Sequence, residues 1–90
     1  SMMACNYYGW DMNSFVDEVK DHIIYLHIVD ALGSDGEGIQ IGEGDVNFGE
    51  LSTGLNAACP DAPFIPEVWQ GHKDGGAGFW SALKYLETYF

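Results

Sequence analysis

The sequence predicts an α/β fold with two parallel strands, arranged α-β-α-β-α in a single domain over residues 1–90. Three observations lead there. Ile23-Ile-Tyr-Leu-His-Ile-Val29 is a continuous, largely β-branched apolar run, the composition a strand needs when both of its faces are covered. Pro63-Phe-Ile-Pro-Glu-Val-Trp69 reads as the second strand, and Pro66 within it marks a strand end or an interruption. After each run a glycine-rich loop leads into apolar residues at helical spacing, the order of successive β-loop-α units.

Ser1-Met-Met3 reads as an expression remnant outside the fold, and Cys5 to Trp10 as a loop. Phe15, Val16 and Val19 then recur at helical spacing, with Asp11 or Asn13 as the N-cap. The first strand ends at Asp30. From Ala31 to Val46, glycines at positions 33, 36, 38, 42 and 44 argue against regular structure. Asn47, with Glu50 three residues later, forms a capping pair for a helix whose buried stripe is Phe48, Leu51, Leu55 and Ala58. Pro60 stops that helix. Residues 69–78 form a further loop, and a last helix carries Phe79, Leu83, Leu86 and Phe90 on one face.

Composition narrows the function. At 47% apolar and 14% aromatic the chain is too hydrophobic to be disordered, and no apolar run reaches the roughly 18 residues of a membrane span. Fourteen acidic residues against three basic ones give a formal net charge of -11. Such a chain repels phosphate backbones and anionic membranes, so neither nucleic acid nor a membrane is an expected partner. Two cysteines are too few for a disulfide framework, and the N-terminal residues lack a secretory pattern; reduced thiols and a cytoplasmic location are expected. A chain of this length removes only about 60% of its unfolded surface from water. A two-stranded sheet also leaves two open edges, and homo-oligomerisation is the expected consequence.

In α/β folds ligands gather at the carboxyl ends of the strands, and here both ends carry metal-competent groups. His27 and Asp30 end the first strand and Glu67 the second, while the intervening loop adds Asp35, Glu37, Glu43 and Asp45. That loop contains no lysine or arginine, so a divalent cation would relieve its repulsion. Gln70, His72 and Lys73 follow at the mouth, where they could face a sugar or phosphate or form an unliganded surface loop. Trp69 could stack on a sugar ring or serve packing alone. Asp30 is better suited to capping the following turn than to binding metal, and neither cysteine has an activating neighbour in sequence.

Three segments, His27-Ile-Val-Asp30, the loop from Asp35 to Asp45 with Val46-Asn-Phe48, and Phe64-Ile-Pro-Glu-Val-Trp69, resemble the xylose-isomerase-like barrels. That family includes sugar-phosphate isomerases and epimerases and the apurinic endonucleases. The resemblance covers the chain beyond its first few residues. It looks most like the isomerase-type barrel found beside sialic-acid-type synthases, where a segment similar to Trp69-Gln-Gly-His-Lys73 follows the eighth strand.

The resemblance implies a partial (β/α)8 barrel, the last two β/α units, completed by oligomerisation or by another polypeptide. It implies that His27 and Glu67 are metal ligands at the ends of strands seven and eight. Asp35 and Glu37 take the place where the endonuclease branch has an Asp-x-His pair; the histidine is absent, which argues against a three-zinc site. The implied cofactor is a divalent ion (Mn, Mg or Zn) and the implied substrate a sugar or sugar phosphate bound by Trp69, Gln70, His72 and Lys73. Glu67 would move the proton in the isomerisation. Two of the family's four ligands come from earlier strands that these residues do not include. A non-catalytic oligomeric module binding a metal, a carbohydrate or a protein partner is therefore the alternative.

Overall fold

The structure, a computed structural model, describes residues 5, 7–33 and 36–90, and of Glu37 it describes the backbone alone. Its main elements among the described residues are three helices and two small sheets, a small mixed α/β fold. Helix α1 spans Met12–Val19 and runs into a 3-10 turn, Lys20–His22. Asp11 is its cap, accepting the Asn13 N–H at 3.1 Å. Strand β1 (Leu26–Ile28) pairs in parallel with β4 (Phe64–Pro66), in the register His27 opposite Ile65. The parallel pairing is the one expected, although both strands are shorter than the apolar runs containing them.

The glycine-rich segment departs from the expectation of irregular structure. Asp30–Leu32 (β2) and Gly36–Ile39 (β3) form an antiparallel pair, with a register shift between Asp30 and Ala31. Glycine lowers strand propensity without forbidding a ladder, and here a buried carboxylate holds the segment in place, as described below.

Helix α2, Phe48–Ala58, begins at the expected cap: the Asn47 carboxamide oxygen accepts the Glu50 N–H at 3.1 Å. Phe48, Leu51 and Leu55 are buried, and Ala58 is half-buried against the core. α1 and α2 cross closely. Asn13 donates to the Glu50 carbonyl at 3.0 Å, and a Cβ at Gly54 would collide with the Asn13 carboxamide. Helix α3, Lys73–Leu86, opens with a kink in which Asp74, Gly75 and Gly76 all have positive φ. Its core face is Ala82 and Leu86, supported by Tyr85 and Phe90. Of the stripe predicted for this helix, Leu86 is buried, Leu83 and Phe90 are half-buried and Phe79 stays exposed at 39%; Trp80 beside it is 69% exposed. α3 is apolar on more than one face, and spacing alone could not choose which face meets the core.

The parallel pair has two unlike faces, set by the period-two alternation of a strand. Leu26, Ile28 and Phe64 pack into the core with Val16, Leu51, Leu55 and Leu86. Tyr25, His27, Ile65 and Glu67 alternate with them and are exposed. One face is therefore covered by helices and the other is bare. No helix among the described residues is long and apolar enough to cross a membrane.

Candidate functional site

His27 lies in the middle of β1 on the bare face. On the neighbouring strand the Glu67 N–H bonds the Ile28 carbonyl at 2.8 Å, which carries the parallel ladder one residue beyond β4. Glu67 thereby shares a face with His27, and its Oε2 lies 3.2 Å from His27 Nδ1. Both side chains are more than half exposed, at 51% and 60%. Water solvates such a pair well, so it adds little to stability and neither group is confined to a structural role. The Tyr25 ring, two residues back on the same face, meets the imidazole edge-on with centroids 5.4 Å apart. Tyr25 was not singled out from the sequence, although its spacing of two from His27 on a strand was the available signal.

Past β4, the Trp69 N–H donates to the Gly38 carbonyl at 2.6 Å, docking the β2–β3 pair against this loop. Gln40 donates to the Gly78 carbonyl at 3.2 Å and ties the same segment to α3. Glu67, Trp69, Gln70, His72 and Lys73 line one cavity of about 420 Å³, with Gly38 on its far wall. The structure thus gathers around one opening every residue assigned to substrate from the sequence. Gln70 (φ 58°) in this loop and Asp74 (φ 53°) in the kink that opens α3 are, among the described residues, the non-glycine residues with left-handed backbones. Such conformations cost of order 1 kcal/mol and persist where surrounding structure imposes them.

Asp30 organises the segment that walls the cavity. It is 1% exposed, and its carboxylate accepts four backbone N–H groups. Oδ1 takes Ala31 at 2.9 Å and Val46 at 3.3 Å; Oδ2 takes Gly42 and Gly44, each at 2.9 Å. Among the described residues no cation pairs with it, so backbone dipoles alone hold its charge. A Cβ at Gly44 would overlap the Asp30 carboxylate and the Ala31 carbonyl, which is why only glycine fits there. Asp30 therefore caps the turn, as its type suggested, and does not face the His27–Glu67 pair.

Of the remaining candidates, Asp35 lies outside the described residues, as does the side chain of Glu37, whose backbone sits in β3 opposite Ala31. Asp45 accepts the Gly33 N–H at 3.0 Å and helps close the β2–β3 turn, and Glu43 is exposed. The donors His27 and Glu67 suit a divalent cation in kind, one imidazole and one carboxylate. They fall short in number, because no group of three His, Cys, Asp or Glu residues able to hold a metal occurs among the described residues. Cys59, after α2, has its thiol pushed up by burial, which disfavours the reactive thiolate. Set against models of known protein families, curated proteins and solved structures, the chain matches none, and the chemistry of the site rests on its own residues.

Proposed function

We propose that His27 and Glu67 are half of a divalent-metal site of the sugar (phosphate) isomerase/epimerase kind, in a chain corresponding to the last two β/α units of a (β/α)8 barrel and acting in the cytoplasm. One observation carries this reading: an exposed imidazole and carboxylate 3.2 Å apart on the same face of two adjacent parallel strands, Glu67 directly after the carboxyl end of β4. A divalent ion, when bound, supplies a Lewis acid that polarises a sugar carbonyl. Glu67 would take or return the proton on the neighbouring carbon; its carboxylate is 60% exposed and, among the described residues, forms no ion pair with lysine or arginine. Trp69, 77% exposed, offers a flat face for a sugar ring. Lys73, one of three basic residues in a chain of net charge -11, is the cation on this cavity wall that a phosphate would meet. The remaining metal donors come from outside these residues.

The shortage of donors favours one other reading, a non-catalytic module that binds metal, carbohydrate or protein without turnover. Calorimetric titration with Mn2+ and Zn2+ of the wild type, His27→Ala and Glu67→Gln separates the two. Uptake lost in both variants, with unchanged circular dichroism, is expected and would justify a sugar-phosphate screen for turnover. Uptake equal in all three, or none at millimolar metal, would remove the metal site and with it the catalytic reading.

A further inference from the structure

We propose that Asp74–Gly75 is a self-modification site, at which the folded chain converts Asp74 to isoaspartate through a cyclic imide. The inference stands on the turn that opens α3 and is independent of the metal site.

The first residues of α3 do not adopt a helical backbone. Asp74, Gly75 and Gly76 have φ of 53°, 69° and 86°, a left-handed turn across which the Gly76 N–H reaches the His72 carbonyl at 3.2 Å. Inside a regular helix the amide that follows an aspartate is held by a carbonyl four residues back, and the backbone cannot rotate about it. Here the Gly75 N–H meets no acceptor, and the Asp74 carboxylate meets no donor or cation, among the described residues. Both residues are exposed, and a Cβ built on Gly75 would have nothing within 4 Å. A left-handed backbone is disfavoured at Asp74, while the two glycines after it adopt either hand. No contact opposes the rotation that brings the Gly75 nitrogen over Asp74 Cγ, and glycine adds no side chain to crowd the approach. Asp30 is the opposite case. It is buried, and its carboxylate is held by backbone N–H groups that include the amide following it, Ala31.

The chemistry needs only water. The Gly75 nitrogen adds to Asp74 Cγ, its proton leaves, and a carboxyl oxygen departs as water, which closes the imide. Water then reopens the ring at either carbonyl. Opening at the main-chain carbonyl carbon of Asp74 leaves Gly75 joined through Cγ, which is isoaspartate; opening at Cγ restores aspartate. The water lost in closure is regained in opening, so no oxidant or co-reactant enters. Conversion inserts a methylene into the main chain directly after Lys73, which lies on the wall of the cavity containing Glu67 and Trp69. It also releases a carboxylate where the main-chain carbonyl stood.

The test is to age the folded chain at neutral pH in heavy-oxygen water and map its peptides with electron-transfer fragmentation, which separates isoaspartate from aspartate. Isoaspartate carrying solvent oxygen should accumulate at residue 74, and Asp74→Glu, which would have to close a larger ring, should accumulate none there. The rate should lie within about tenfold of that for the chain held unfolded in guanidinium. Conversion at residue 74 more than about tenfold slower in the folded chain, the mark of a restraint above about 1.4 kcal/mol, would overturn the proposal. Product without solvent oxygen would overturn the imide route. In the aged sample the Gly76 amide should show a second, faster-exchanging population equal in size to the converted fraction. A single unchanged population would refute the displacement of the turn. None of these outcomes depends on metal uptake, so failure here leaves the His27–Glu67 reading to its own titration.

Discussion

Asparagine in place of Asp30 probes what holds the cavity wall together, because the substitution keeps shape while exchanging one acceptor oxygen for a donor. The carboxylate is buried and accepts two N–H groups on each oxygen. Whichever way the carboxamide turns, its NH2 faces two backbone N–H groups. The less costly orientation sets it toward Ala31 and Val46, since the Val46 bond is the longest of the four at 3.3 Å. A buried donor left unsatisfied costs about 1–3 kcal/mol, so two of them, one at the low end, cost about 2–5 kcal/mol. A chain of this length is stable by roughly 5–13 kcal/mol, so Asp30→Asn should remove a large share. Urea unfolding followed by tryptophan fluorescence measures the loss. Amide hydrogen exchange at Ala31, Gly42, Gly44 and Val46 localises it to the turn. A loss under about 1 kcal/mol with unchanged exchange at all four amides would refute the account of Asp30 as the organiser of this segment.

Two further outcomes follow from the helices. Asn47→Ala removes the acceptor for the Glu50 N–H and should cost about 1 kcal/mol, whereas Asn47→Asp should cost little; an unchanged urea midpoint in the alanine variant would show that the cap is idle. Burial raises the Cys59 thiol above its ordinary range, so the folded chain keeps that proton to higher pH than the unfolded chain does. The corresponding stability is fully present below the unfolded thiol's pKa and is lost as pH rises through the folded one. Alkylation of Cys59, followed by peptide mapping, should accelerate at higher pH than for a reference thiol, and a profile at or below the reference would contradict the burial.

Local signals were legible wherever one residue type had one physical use. Asn47 and Glu50 announced a helix start, Phe48, Leu51 and Leu55 its buried stripe, and two short, largely apolar runs the parallel strands. The candidate site was legible to the same degree. His27 and Glu67 stood out as polar groups in apolar runs, and the segment from Trp69 to Lys73 as a polar turn after a strand. Two features were not. The β2–β3 pair was hidden because the glycines of β3 lower strand propensity, and because the segment after it is fixed at long range, by the buried Asp30 carboxylate accepting amides up to sixteen residues away. The face of α3 that meets the core was hidden because that helix is apolar on more than one side.

The amino-acid order by itself determined the α/β class, the three helices with the two parallel-paired strands between them, and the acidic charge, since these depend on periodicity, capping and composition. Only the tertiary structure decided that His27 and Glu67, forty residues apart, meet within 3.2 Å, and that one face of the parallel pair stays bare. Both follow from the strand register, which is set by how Leu26, Ile28 and Phe64 pack against the helices and not by any property of the polar residues themselves.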